Sequence, residues 1–507
     1  MPNKIRWGEI AGKIVYCVAV VFLVFLSAGS LLFASDGYEI SFSGFKLLYE
    51  VPLGLLLVLL LRIAADFLSN PKRKKVCWIV EVILFIGVMI FCGWWIQNSQ
   101  NLPQSDAKSV YDIAWRAREH DLLPIAPTGS YMSLWPHQAG FVLFIEIVLR
   151  LFPAADEYTV QWITMLFVAL SLISGRELVR ELFQDRKIRI FWSLLMTLFL
   201  PYYLYVNNMY SDVPGIALML FHLWMLTLSV KHTKKIPFII FMVLTAGSAA
   251  VMVAMRKNTL IYIIACVLVL GTMFLQKHRV KYIVLIGVLI VSTISGSTLP
   301  RVFYERRAHN TMGKGIPAIS FVAMGLQWDE GRTPGGWNGY HSDLFIKNDY
   351  DADIAGRISA ENVKESLNYM VHHPLYGVRF FATKQISQWC REDYGCFYET
   401  LEFYGNRTQA ATDIYKGKTG EYLMILFRIH QSIIYIAALL YGIFYFKKEN
   451  SELLLKLIPF ATFIGGFLFG LVWEAGARYM MPYVILLVPY AAAALSEITV
   501  VKNIRKA

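Results

Sequence analysis

The sequence predicts an all-α polytopic membrane protein, and three observations carry that reading. Hydrophobic residues make up 56% of the 507. They fall in blocks of about 20, the length that crosses a hydrocarbon core roughly 30 Å thick, and too continuous for the helices of a soluble domain. The short stretches between blocks are rich in Lys and Arg, the bias of cytoplasmic loops. That clustering accounts for the net charge of +12, so the lipid bilayer is the expected partner and nucleic acid is not.

Taken in order, Lys4, Arg6 and Lys13 precede a span at about 12–33, and a second span follows at about 48–68. PKRKK (Pro71 to Lys75) comes next, then a third span at about 77–97. The charge bias puts the N-terminus and PKRKK in the cytoplasm and the chain from Asn98 outside. No small-residue cleavage site follows the first apolar run, so no cleavable signal peptide is expected.

The stretch from Ser105 to Phe152 decides the rest of the topology. An acidic loop and a short charged helix lead through a Pro- and Gly-rich turn to an apolar run, His137 to Phe152. Such a helix covers about 24 Å, less than the hydrocarbon core. Its Gln138, Glu146 and Arg150 form a polar stripe, so it reads as an amphipathic helix lying at the membrane surface. Were it to cross, the basic stretches Gly175 to Arg189, Lys231 to Lys235 and Gln276 to Lys281 would lie outside; lying flat, it leaves all three inside, together with Lys447, Lys448 and the C-terminal VKNIRKA.

The remaining spans then fall at about 159–175, 189–207, 212–230, 236–254, 259–275, 282–299, 422–446, 452–472 and 478–496, about twelve in all with both termini cytoplasmic. This divides the chain into a two-span extension (1–76), a transmembrane core (77–299) carrying an external loop (98–158), an extracytoplasmic region (300–421) and a three-span C-terminal region (422–507). Within 300–421, helix is expected on both sides of His373-Pro374.

Chemistry-bearing residues gather at the external ends. Asp106 and Asp112 lie in the first long loop and Asp212 in YSDVPG; a carboxylate at the water–lipid boundary, shielded by aromatics, can act as a general base, the alternative being a solvated loop carboxylate or a helix cap. Arg256 and Lys257 sit side by side at an external border, where they either hold an anion such as a lipid phosphate or snorkel to the headgroups. At the last external turn Glu474 and Arg478 are four apart and either pair or face a ligand. His137, after Trp135-Pro136, orients its loop. Cys390 and Cys396 form a small-loop disulfide or stand as free thiols; without a second pair they fall short of a zinc set, and no metal site is expected. Glycine-rich phosphate loops, HExxH, nucleophile elbows and dinucleotide fingerprints are absent.

SDAKSVYDIAWRAREHDLLP, SLWPHQAGFVLFIEIVLRLF and YSDVPG together resemble the GT-C glycosyltransferases that use polyprenyl-phosphate-linked sugars, among them bacterial relatives of protein O-mannosyltransferases and the aminoarabinose transferases that modify lipid A. The resemblance covers about Cys77 to Leu299, and the C-terminal half only loosely; Ala107 stands where relatives often have a second acid, and two spans precede the core span. It implies a GT-C-like helical bundle with juxtamembrane helices. Asp106 would be the base that deprotonates the acceptor hydroxyl. Asp212, with Tyr111 and His137, would shape the site or place the acceptor, and Arg256, Lys257 or Arg478 would bind the leaving phosphate. It further implies inversion by direct displacement, with no nucleotide and no obligate metal or other cofactor. The expected partners are a polyprenyl-phosphate-linked sugar donor and a glycan, lipid or protein acceptor. A transporter or flippase, or a polymerase or ligase of lipid-linked glycans, are the alternatives; a transporter calls for charges deep within spans lining a cavity.

Overall fold

A computed structural model describes residues 7–36, 39–125, 128–329, 331–401, 403–445 and 454–497. Lys4, Arg6, Lys447, Lys448 and the tail from 501 to 507 lie outside the described residues. Three long helices open the chain, α1 (Trp7–Leu32), α2 (Leu47–Ser69) and α3 (Lys74–Ser99), with a short hairpin, β1 (Phe33–Asp36) and β2 (Glu39–Phe42), between the first two. Three shorter helices follow, α4 (Ser105–Arg118), α5 (Tyr131–Leu134) and α6 (Ala139–Leu151).

The bundle continues with α7 (Glu157–Phe183), α8 (Arg186–Thr197), α9 (Leu200–Leu204), α10 (Asp212–Lys231), α11 (Lys235–Met255), α12 (Leu260–Lys277) and α13 (Val280–Ala308). The long polar region holds α14 (Ala318–Gly325), α15 (Tyr340–Lys347), α16 (Ala352–His372), α17 (Pro374–Trp389) and α18 (Gln409–Lys416). Finally come α19 (Lys418–Tyr445), α20 (Leu457–Val472) and α21 (Met481–Glu497).

Among the described residues ten helices are long and apolar enough to cross a membrane, and an eleventh crossing results if the bent pair 186–207 is one broken span. The all-α polytopic reading therefore stands at this coarser level. The expected straight span at 189–207 is instead bent by 52°; Pro201 in the first turn of α9 offers no N–H to continue α8. The expected last span is the 17-residue α21, about 26 Å long and shorter than a typical core.

α10 and α21 are buried along their whole length, as helices apolar all round should be. α10 lies between α7 and α11, and α21 between α8 and α19. Caps fix the starts of several elements: Asp156 and Thr159 form a capping box on α7, while Asp185 and Asp351 accept from the first free N–H groups of α8 and α16.

The basic turns read from the sequence gather at one end of the bundle. There Lys187 pairs with Asp66 at 2.6 Å, Lys231 with Glu181 at 2.9 Å, and Arg176 and Arg189 with Glu81 at 2.9 and 3.3 Å. Arg62 donates to the Leu495 carbonyl and Arg186 to that of Leu68, so the ends of α2, α7, α8, α10 and α21 meet there. The opposite end carries α4 to α6 and the polar region.

At 13 residues, α6 reaches about 20 Å, too short to cross. Of its polar stripe, however, Gln138 and Glu146 turn inward, and only Arg150 stays exposed. Buried Glu146 accepts from Arg150, from Arg307 at 2.9 Å and from the Tyr304 hydroxyl at 2.6 Å. Those last partners exist because α13 runs on through Pro300 to Ala308, past the expected end of the span at Leu299. α6 also presses so close to α11 that a Cβ at Gly140 would stand 2.1 Å from the Ala254 carbonyl oxygen.

Candidate functional site

Two distant stretches of chain are sewn together at this end. Leu102 N–H donates to the Phe403 carbonyl, Gly405 N–H to that of Gln100 and Thr408 N–H to that of Asn98. Arg407 crosses the seam, donating to Ser99 O, Asn101 Oδ1, Thr400 O and Leu401 O, and the Gln104 amide donates to the Glu399 carbonyl. Immediately after this seam Ser105 adopts φ 46°, a left-handed conformation rare for an L side chain. It starts α4 and presents Asp106 in the first turn.

Asp106 lines a cavity of about 190 Å³ with Gln104, Ser105, Tyr210, Glu399 and Arg478. Arg478 pairs with Glu399 at 3.0 Å and stands over the rings of Tyr210 and Tyr479 at 5.4 and 5.2 Å. Among the described residues no cation lies within ion-pair distance of Asp106, and the Tyr131 phenol faces its carboxylate.

Further acids crowd the same space. Burial raises the Glu399 carboxyl above its ordinary range against the pull of Arg478, and the charges of Asp212 and Asp106 push the same way. Burial likewise pushes Glu474 up to about 7; Arg478 opposes it, while Asp106 and Glu399 add to it. The phenols of Tyr131 and Tyr210 are raised by burial first, with the negative field of Asp106 contributing to both. Four carboxylates thus act on one another around Arg478.

The sequence-level candidates divide. Asp106 and Arg478 meet in the cavity. Asp212 is buried beside it and committed to Arg256, 2.7 Å away in an ion pair without hydrogen-bond geometry; Gly215 leaves the room this needs, since a Cβ there would lie 2.8 Å from Arg256 Cδ. The Lys257 ammonium donates to the Ser297 carbonyl at 3.4 Å and does not line the cavity. His137 stands edge-on to Trp135, 6.2 Å away, and is likewise outside it. Tyr111 faces elsewhere: burial, then the charges of Glu157 and Asp156 at the start of α7, push its phenol up to about 12. Cys390 and Cys396 are free, buried thiols, and Cys390 turns towards the Leu26 carbonyl of α1 at 3.8 Å.

Sequence reasoning missed Glu399, Tyr131 and Tyr210 as site residues, and it offered Glu474, four residues away, as the partner for Arg478 where the structure supplies Glu399. Only Tyr210 carried a local signal, its place two residues before Asp212. Comparison of the chain with protein-family models gives no match, and comparison with curated proteins gives none.

Proposed function

We propose that the chain is an integral-membrane glycosyltransferase that moves a sugar from a polyprenyl phosphate to an acceptor on the outer face of the cytoplasmic membrane. One observation carries this: Asp106, a carboxylate with no cation paired to it among the described residues, and a cation, Arg478, line one small cavity at the end of the bundle away from the basic turns. That charge bias at the far end supports an extracytoplasmic site. The GT-C resemblance of the sequence around Asp106 and Asp212 supports the same reading.

In the proposed step Asp106 accepts the proton of the acceptor hydroxyl while that oxygen bonds to the anomeric carbon. The bond from this carbon to the phosphate oxygen breaks, the electron pair leaves with the phosphate, and attack from the opposite side inverts the centre. Arg478 meets the growing phosphate charge where water is scarce and such compensation is strongest. Glu399 holds Arg478 beforehand; its raised affinity for a proton lets it give up the guanidinium when an anion arrives. Asp212 is kept neutralised by Arg256.

The test uses the purified full chain in lipid nanodiscs with radiolabelled polyprenyl-phosphate sugars and a mixture of glycan, lipid and peptide acceptors. Transfer by the wild type and a loss of about 10²-fold or more in Asp106→Asn, with unchanged melting, is expected. Undiminished transfer by Asp106→Asn removes the base. Flipping without transfer marks a transporter, and extension of a lipid-linked glycan marks a polymerase.

A further inference from the structure

A second chamber opens beside the Asp106 cavity. Its volume is about 500 Å³, within the roughly 300–1,000 Å³ of small-molecule sites. The two spaces share Tyr398, Glu399 and Arg478, so the Glu399–Arg478 ion pair is the partition between them.

The far wall is the glycine-rich turn at 331–337, and the structure fixes it on several sides. Gly335, at φ 69°, approaches Lys384 so closely that a Cβ would lie 2.7 Å from Nζ. Its N–H donates to the Gln327 carbonyl and its own carbonyl accepts from Ala475 N–H, each at 2.7 Å. Lys384, fully buried, donates to the carbonyls of Gly325, Leu471 and Trp473, tying the end of α14 to the segment before Glu474. Arg332 donates to the Trp337 carbonyl at 2.6 Å. This fixes the main chain at Trp337, whose side chain lines the chamber and is 59% exposed.

The lining combines aromatic faces with hydrogen-bonding groups that suit a particular chemistry. Trp337, Tyr398 and Tyr479 supply the rings, and Gln388, Glu399 and Glu474 the polar groups. Gln388 is 1% exposed; its amide N–H groups go to the carbonyls of Lys384 and Gly470, while its Oε1 has no hydrogen-bond partner among the described residues. Of the chamber's three arginines, Arg391 pairs with Asp393 at 2.8 Å, Arg478 with Glu399, and Arg332 donates to the Trp337 carbonyl, while Glu399 and Glu474 line the same space and disfavour an anionic occupant. A sugar ring suits this lining: a C–H face to lie on an aromatic ring and hydroxyls that donate to the carboxylate oxygens of Glu399 and Glu474.

We propose that this chamber binds a neutral oligosaccharide, which makes the acceptor of the transfer a glycan; the acceptor role rests on the transferase reading, the binding does not. The test is an array of neutral and anionic oligosaccharides probed with the tagged full chain in detergent, run beside the transfer assay. Retention of a neutral glycan by the wild type is expected, weakened about tenfold in Trp337→Ala, the size of one aromatic contact, and restored in Trp337→Tyr. Retention of no glycan, or equal retention by Trp337→Ala, overturns the proposal. Transfer to a lipid or peptide with no glycan retained overturns it while the transferase reading survives. A glycan retained through Trp337 without transfer from any polyprenyl-phosphate sugar supports the chamber and removes its role as acceptor site.

Discussion

Burial alters the titration of the Glu474 carboxyl. An ordinary glutamate titrates near 4.5, and burial moves this one to about 7. Between those values the folded chain keeps a proton that the unfolded chain has lost. Stability therefore falls as pH rises through that window and stays lower above 7. Glu474→Gln cannot ionise, so it should gain on the order of 1–3 kcal/mol over the wild type at pH 8 and little at pH 4.5. Melting in detergent across pH 4.5–8 reads this, and parallel curves for the two proteins would contradict it. At this scale Asp106 and Arg478 were legible because isolated charges at span ends stand out. Tyr111 was misplaced because five residues along a helix turn the side chain about 140° from Asp106, towards α7. Glu399 was invisible because nothing local ties it to Asp106, nearly three hundred positions earlier in the chain.

At the scale of elements the seam between the end of α3 and the 399–408 stretch decides whether a site exists. Arg407 holds both sides with its planar fork and lies 3.8 Å over Tyr404 and 4.1 Å over Tyr415. Arg407→Ala should lose about 2–4 kcal/mol of stability, since it leaves several buried acceptors unpaired, and reduce transfer several-fold. Arg407→Lys should recover little, because an ammonium cannot reproduce the fork. Melting and transfer rates check both; a wild-type Arg407→Ala would show that the seam is dispensable. Helices on either side of His373-Pro374 were readable from the proline, and α16 and α17 meet there. The inward turn of Glu146 was not, because its partners Tyr304 and Arg307 come from an extension of α13 beyond Pro300, where sequence habit ends a helix.

For the whole molecule, the apolar blocks announced the bundle and the basic turns announced that one end differs from the other. The bend at 186–207 and the shortness of α21 were hidden, since apolar composition is the same in a straight span, a broken one and a buried helix. The two-ended charge pattern makes a direct prediction. A membrane-impermeant maleimide should label Lys347→Cys on intact cells, and Lys234→Cys only after lysis, both positions being exposed. The reverse pattern would put the cavity in the cytoplasm and withdraw the lipid-linked donor.

Whether Asp106 and Arg478 serve one reaction from one cavity is tested most directly by an electron cryomicroscopy structure of Asp106→Asn in nanodiscs with a polyprenyl-phosphate sugar. The phosphate is expected against Arg478, with Glu399 displaced and the anomeric carbon facing residue 106. A phosphate seated elsewhere, for instance in the apolar groove beside Arg306 and Arg307, with the Asp106 cavity empty, would contradict it.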